Sequence, residues 1–104
     1  MGKSHIDVND FESITKFFTA LGDPIRIQIT FILGNNGKSN VTDIASHFDI
    51  TRPSISHHLK ILRDAQIVDS KKVGQEVYYW LSRERVSTNM QLIADALVSK
   101  ECDV

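Results

Sequence analysis

Residues 51–68 read TRPSISHHLKILRDAQIV, and this stretch decides the fold. Ile55, Leu59 and Leu62 fall at spacings of four and three, the repeat that gives an α-helix one apolar side. The remaining surface of that helix carries Arg52, Ser56, His57, Lys60 and Arg63, a mixture of hydroxyl, imidazole and basic groups suited to nucleic acid. Thr51 is positioned to cap the helix, and Pro53 sits in its first turn, where a missing backbone donor costs nothing. Beyond Arg63 the spacing changes, and Ile67 to Lys71 reads as a strand.

Upstream, Asn40 followed by Asp43 starts a short helix through Phe48, although Asp43 does not make a full Glu-type capping box. Ile44, Ala45 and Phe48 form its buried side, and Asp49 and Ile50 turn the chain into the helix that Thr51 caps. Two helices joined by a tight turn are the helix-turn-helix pattern. Two longer helices precede it. Asp7 to Ala20 carries Val8, Phe11, Ile14 and Phe17 or Phe18 at helical spacing, more apolar surface than a lone helix can expose. After the break at Gly22, Asp23 caps and Pro24 opens a helix through Leu33, with Ile25, Ile29 and Ile32 or Leu33 facing inward. Residues 34–40, GNNGKSN, form a turn-rich break.

Downstream, Glu76 to Leu81 reads as a second strand, joined to the first by the VGQ turn at residues 73–75. Val77, Tyr79 and Leu81 alternate with Tyr78 and Trp80, so one side of this hairpin covers the helices. Gly74 supplies the left-handed conformation that a tight turn often requires, and Lys71 and Lys72 lie near the tip, within reach of phosphate. Ser87 to Val98 returns to helical spacing through Met90, Ile93, Ala94 and Leu97. The expected architecture is mainly α with a two-stranded β wing, one winged helix-turn-helix domain over residues 1–104.

The 104 residues are 41% apolar and 24% charged, which excludes a disordered tail. No run approaches the roughly 20 apolar residues needed to span a bilayer, and MGKSHIDVND lacks a signal-peptide core, so a cytoplasmic location and no membrane partner are expected. Cys102 is the sole cysteine, which excludes an internal disulfide and an all-cysteine metal cluster within one subunit. A net charge of −1 looks unfavourable for a DNA binder. Residues 51–72, however, set Arg52, Lys60, Arg63, Lys71 and Lys72 against only Asp64 and Asp69, a local +3. Phosphate responds to that local field.

The major groove of B-DNA is about 12 Å wide and admits a helix. Arg52 is suited either to a bidentate contact with guanine or to a phosphate clamp, and Ser54, Ser56 and His57 to base edges or backbone oxygens. Lys60 and Arg63 are better matched to phosphate. Each basic group taken singly is equally a solvated surface residue, and the cluster is what points to DNA. His58 reads as a packing or hydrogen-bonding residue, and Tyr78, Tyr79 and Trp80 as packing or interface residues rather than a base-stacking platform. Ser56 beside His57 and His58 makes no nucleophile, base and acid array, since neighbouring helix positions point apart, and no enzymatic activity is expected.

The combination of LGDPIR, SISHHLKILRDAQIV and VYYWL at these spacings resembles the ArsR/SmtB family of winged-helix regulators, over nearly the whole chain. The resemblance implies five helices around a two-stranded wing, with the N-terminal and C-terminal helices joining two subunits. It implies a homodimeric repressor of imperfect inverted-repeat operators, released by an inducer or chemical change. Family DNA contacts correspond to Arg52, Ser54, Ser56 and His57 in the reading segment and to Lys71 and Lys72 in the wing. Two such heads would sit about one DNA turn apart, roughly 34–36 Å.

The departures from the family concern sensing. VTDIASHF lacks the cysteine pair of metal-responsive relatives, and residues 89–104 lack the histidines that others place on the last helix. His5 or His47 joined to Cys102 across subunits falls short of the several converging ligands a metal needs, so neither metal nor cofactor is expected. A disulfide between the Cys102 residues of two subunits stays open, and no inducer follows from these residues. The competing function is a winged-helix protein-interaction module without specific DNA binding.

Overall fold

The computed structural model describes residues 8–98, in the order α1 (Val8–Leu21), α2 (Pro24–Asn36), β1 (Ser39–Asn40), α3 (Val41–Ala45), α4 (Arg52–Asp64), β2 (Val68–Val73), β3 (Glu76–Leu81) and α5 (Arg83–Val98). His5, Asp7 and Cys102 lie outside the described residues. Each N-cap anticipated above is made. Asp23 Oδ2 accepts from the amides of Ile25 and Arg26 at 2.9 and 3.0 Å, Asn40 Oδ1 from Asp43 at 2.8 Å, and Thr51 Oγ1 from Ser54 at 3.3 Å. These side chains satisfy donors that the first turn of a helix leaves without partners.

The core draws on every element except β1, β3 and α5. Phe17 and Ala20 of α1, Ile29 and Leu33 of α2, Ile44 of α3, and Ile55, Leu59 and Leu62 of α4 are fully buried, together with Ile67 and Val68 at the entry to β2. Each large aliphatic side chain here contributes roughly 1.5–3 kcal/mol by leaving water. Tyr79 and Leu81 of β3 and Val86 and Ile93 of α5 pack against its edge.

β2 and β3 form the antiparallel wing hairpin, with Val68 opposite Leu81 and Val73 opposite Glu76. Its two-residue loop starts at Gly74 with φ +65°, a backbone that a side chain at that position would strain. The break at residues 34–40 holds a strand that the sequence reading left out. β1 adds to the open edge of β3, with Ser39 opposite Tyr79 and Asn40 opposite Tyr78, giving the sheet order β1-β3-β2. α2 also runs through Gly34 to Asn36 and stops at Gly37, where φ turns to +80° and the amide bonds Leu33 O at 3.0 Å.

Other boundaries shift as well, and β2 runs from Val68 to Val73 rather than from Ile67 to Lys71, because its pairing with β3 continues to Val73 opposite Glu76. α3 ends at Ala45, and the amides of His47 and Phe48 then bond three residues back, to Ile44 and Ala45, a tighter turn that still packs Phe48 on the core. α5 begins at Arg83 rather than Ser87, because Ser82 O accepts from Val86 at 2.9 Å and starts the helix ahead of its apolar repeat.

The end of α4 is set by Gln66. The amide of Ile67 bonds Leu62 O and that of Gln66 bonds Arg63 O, both at 2.9 Å, the paired bonds of a Schellman motif. That motif requires a left-handed residue, and Gln66 takes φ 63°, the one non-glycine with positive φ among the described residues. The resulting mainly helical body with a small antiparallel sheet is a winged helix-turn-helix.

Candidate nucleic-acid interface

α4 buries Ile55, Leu59 and Leu62 and leaves Arg52, Ser54, Ser56, His57, Lys60 and Arg63 exposed. The turn of about 100° per residue divides these six between two flanks and a crest. Arg52, Ser56 and Arg63, at offsets of four and seven, line the flank beside the wing, where Arg63 Nη1 donates to Ser70 Oγ of β2 at 3.3 Å. His57 and Lys60 stand on the crest. Ser54 falls on the opposite flank, and its hydroxyl accepts from Thr51 Oγ1 at 3.1 Å. The contiguous surface therefore holds Arg52, Ser56, His57, Lys60 and Arg63, with Ser54 set apart.

Two of the basic groups already have partners. Lys60 Nζ lies 3.2 Å from Asp64 Oδ2, one helical turn on, with both side chains more than half exposed. Such an exposed pair is worth about 0.3–0.5 kcal/mol, too little to withhold the ammonium from a phosphate. Arg63, by contrast, ties α4 to β2, so a phosphate contact there would draw on a group that also sets the angle between helix and wing.

The two wing lysines, both exposed, leave β2 on opposite faces, because successive strand residues alternate. Lys72 is opposite Val77 and shares the face of Ser70 and Val68, toward α4. Lys71 is opposite Tyr78 on the other face, where Trp80 holds the Lys38 ammonium 5.0 Å from its ring centroid. Tyr79 packs on the core while Tyr78 and Trp80 stay half-buried on that outer face.

Two polar clusters support this surface, and the reading of the sequence found neither. The first lies behind α4. Arg26 Nε donates to Ala20 O at 2.7 Å and its Nη2 to Thr19 O at 3.3 Å, while Nη1 lies 3.1 Å from His58 Nδ1. Asp23 Oδ2 stands 3.9 Å from the same imidazole nitrogen. The Arg26 amide, then the Ile25 amide and the Arg26 charge, hold the Asp23 carboxyl below its ordinary value against the opposing effect of burial.

The second cluster lies at the base of the wing. Asp69 accepts from Ser82 Oγ at 2.6 Å and from Arg85, whose Nη2 also donates to Ser82 Oγ at 2.9 Å. The Ser82 hydroxyl foremost, and then Arg85, lower the Asp69 pKa, again against burial. Arg83 Nη2 donates to Gly34 O at 2.8 Å, so the first turn of α5 is fastened both to the wing and to α2. The cap at Asp23 and a packing or hydrogen-bonding role for His58 were readable in advance, whereas the partners of Arg26, Asp69 and Arg85 depend on how the elements pack.

Among the described residues no three His, Cys, Asp or Glu side chains converge as a metal site, and no helix is long and apolar enough to cross a membrane.

Comparison with known proteins agrees with this geometry. The family profile described as "Bacterial regulatory protein, arsR family" matches residues 23–70, which run from the cap of α2 into β2. The transcriptional repressor SdpR of Bacillus subtilis is 45% identical over 65 residues, 62% of this chain and 71% of its own length. An uncharacterized HTH-type transcriptional regulator of Methanocaldococcus jannaschii is 36% identical over 83 residues, 80% of this chain and 93% of its own. The crystal structure of an ArsR family transcriptional regulator superposes with a TM-score of 0.71 at 26% identity, covering 80% of this chain and 84% of that one. With the reading helix, the wing and these relatives in agreement, the chain belongs to the ArsR family of DNA-binding transcriptional regulators.

Proposed function

We propose that two copies of this chain form a repressor that binds an imperfect inverted repeat in double-stranded DNA. The observation that carries this reading is the exposed run of Arg52, Ser56, His57, Lys60 and Arg63 on a helix whose opposite side is locked into the core. Arg52, Ser56 and His57 contact base edges or backbone oxygens, Ser54 lies against the backbone at the helix start, Lys60 and Lys72 serve phosphates, Arg63 sets the angle between α4 and the wing through Ser70, and Lys71, on the outer face of β2, lies away from the duplex. On this reading the site of action is the cytoplasm, where a bacterial regulator would meet its operator.

The dimer reading rests on apolar side chains left in water by both terminal helices. Phe11 and Phe18, seven residues apart on α1, are 57% and 51% exposed, and Met90 and Leu97, seven apart on α5, are 54% and 78% exposed. No residue of α5 is fully buried within one subunit. Two copies pairing through α1 and α5 would cover these stripes and complete the single 104-residue domain as a symmetric reader. The action as a repressor follows SdpR, which is named as one.

The test is selection of genomic fragments by the purified protein, followed by footprinting. Protection of two related half-sites with centres about one DNA turn apart, weakened by salt, is the expected result. Arg52→Ala and His57→Ala should each lose discrimination between operator and scrambled DNA while remaining folded dimers. Normal discrimination in both variants would reject this face, and strong binding to another protein with no protected DNA would favour the protein-interaction module.

A further inference from the structure

His58 belongs to the reading helix yet does not face the groove. It turns toward the corner where α1 ends and α2 begins, with its side chain 17% exposed. Two groups there make opposite demands on one nitrogen. A guanidinium has only donors, so Arg26 Nη1 needs a lone pair on His58 Nδ1, whereas the Asp23 carboxylate would need a proton there. Distance decides between them. Arg26 Nη1 is 3.1 Å away, within hydrogen-bond reach, while Asp23 Oδ2 is 3.9 Å away and already accepts the amides of Ile25 and Arg26.

We infer that Arg26 is a positioning residue for DNA reading: its guanidinium selects, for the neutral His58 ring, the tautomer that carries its proton at Nε2, and clamps α4 to the C-terminal carbonyls of α1. The inference rests on the reading that α4 enters the groove. Its physical basis is that one planar fork serves three acceptors at once, Ala20 O, Thr19 O and His58 Nδ1. α1 is also the helix whose outer side offers Phe11 and Phe18 to a second subunit. Arg26 thus connects the helix of the proposed dimer contact to the middle of the reading helix.

Two measurements test the clamp. In the free wild-type protein, at a pH where the imidazole rings are neutral, imidazole nitrogen NMR should find His58 Nδ1 unprotonated and Nε2 protonated in a single tautomer, with exposed His57 as the internal comparison. A protonated Nδ1 overturns the inference without any variant. The second measurement is a cycle of Arg26→Met, His58→Phe and the double variant, read as affinity for the operator and for scrambled DNA. Each single change should weaken operator binding about tenfold, and the double variant should be no weaker than the worse single, as for two residues sharing one interaction. Scrambled DNA should be bound almost as before, since no phosphate contact is removed. Arg26→Lys should restore only part of the loss, because one ammonium does not span the three acceptors. Additive losses, or equal losses on both DNAs, overturn the inference. A wild-type protein that fails to discriminate its operator rejects the underlying reading of α4 instead, and the tautomer measurement tells the two failures apart.

Discussion

The wing offers a sharp test of where the phosphates run, because adjacent lysines on one strand leave it on opposite faces. Lys72 shares a face with Ser70, and Ser70 is bonded to Arg63 of the reading helix. Lys71 shares the other face with Tyr78 and Trp80. On the proposed reading, a duplex seated on α4 would meet Lys72 and pass Lys71 by. A lysine that neutralises one phosphate contributes about 0.9 to the slope of log affinity against log salt, so two Lys72 residues in a dimer contribute about 1.8. Between about 50 and 200 mM salt, the advantage of wild type over Lys72→Ala should shrink by about tenfold. Fluorescence anisotropy titrations of an operator duplex and a scrambled duplex across that range would read it directly. Lys72→Ala should flatten the slope on both duplexes, and Lys71→Ala should leave it near the wild-type value. If Lys71→Ala flattens the slope as much as Lys72→Ala, the assignment of faces to the duplex is wrong.

Three further outcomes concern stability, each at fixed protein concentration. Gln66→Gly removes the strain of a side chain at φ 63°, roughly 1–2 kcal/mol, against roughly 0.4–1 kcal/mol for the added freedom of the unfolded chain. The net gain of about 1 kcal/mol should raise Tm by about 4–8 °C, and an unchanged Tm in a circular-dichroism melt would show that the Schellman turn is unstrained. Thr51→Ala deletes the cap on the Ser54 amide and should lower stability by about 1 kcal/mol in urea titrations without changing the m-value; no loss would mean that water replaces the cap. Asp69 titrates lower when folded than when unfolded, so its stabilising effect is complete above the ordinary carboxylate range and fades as pH falls through the folded value. Asp69→Asn should therefore be less stable than wild type near neutrality and converge with it in acid, and a gap that persists at low pH would contradict the Ser82 and Arg85 bonds.

What could be read in the residues was local. Ile55, Leu59 and Leu62 announce their burial by spacing alone, and Asp23, Asn40 and Thr51 announce their caps by standing just before a helical repeat. A two-residue strand has no period to detect, so β1 emerges only once β3 is in place to bond it. Gln66 is illegible for a related reason. Left-handed turns normally advertise themselves with glycine or asparagine, and here the bonds to Leu62 and Arg63 impose the conformation on a residue that would not choose it. The first turn of α5 is hidden because its start depends on Ser82, whose hydroxyl is held by Asp69 across the hairpin.

The same distinction governs the charge argument that first pointed to DNA. A count over residues 51–72 finds five cations, but folding does not leave them equivalent. Arg63 braces the wing through Ser70, Lys60 shares its charge with Asp64, and Lys71 turns to the aromatic face beside Tyr78. Arg52, on α4, and Lys72, on the face of β2 shared with Ser70, have no side-chain partner among the described residues. The local +3 therefore measures how strongly the chain is drawn to DNA, while the two uncommitted cations measure how it is seated there. Mutations at Arg52 and Lys72 should consequently dominate binding, and Arg63 should act through the angle between helix and wing, changing operator discrimination more than salt dependence.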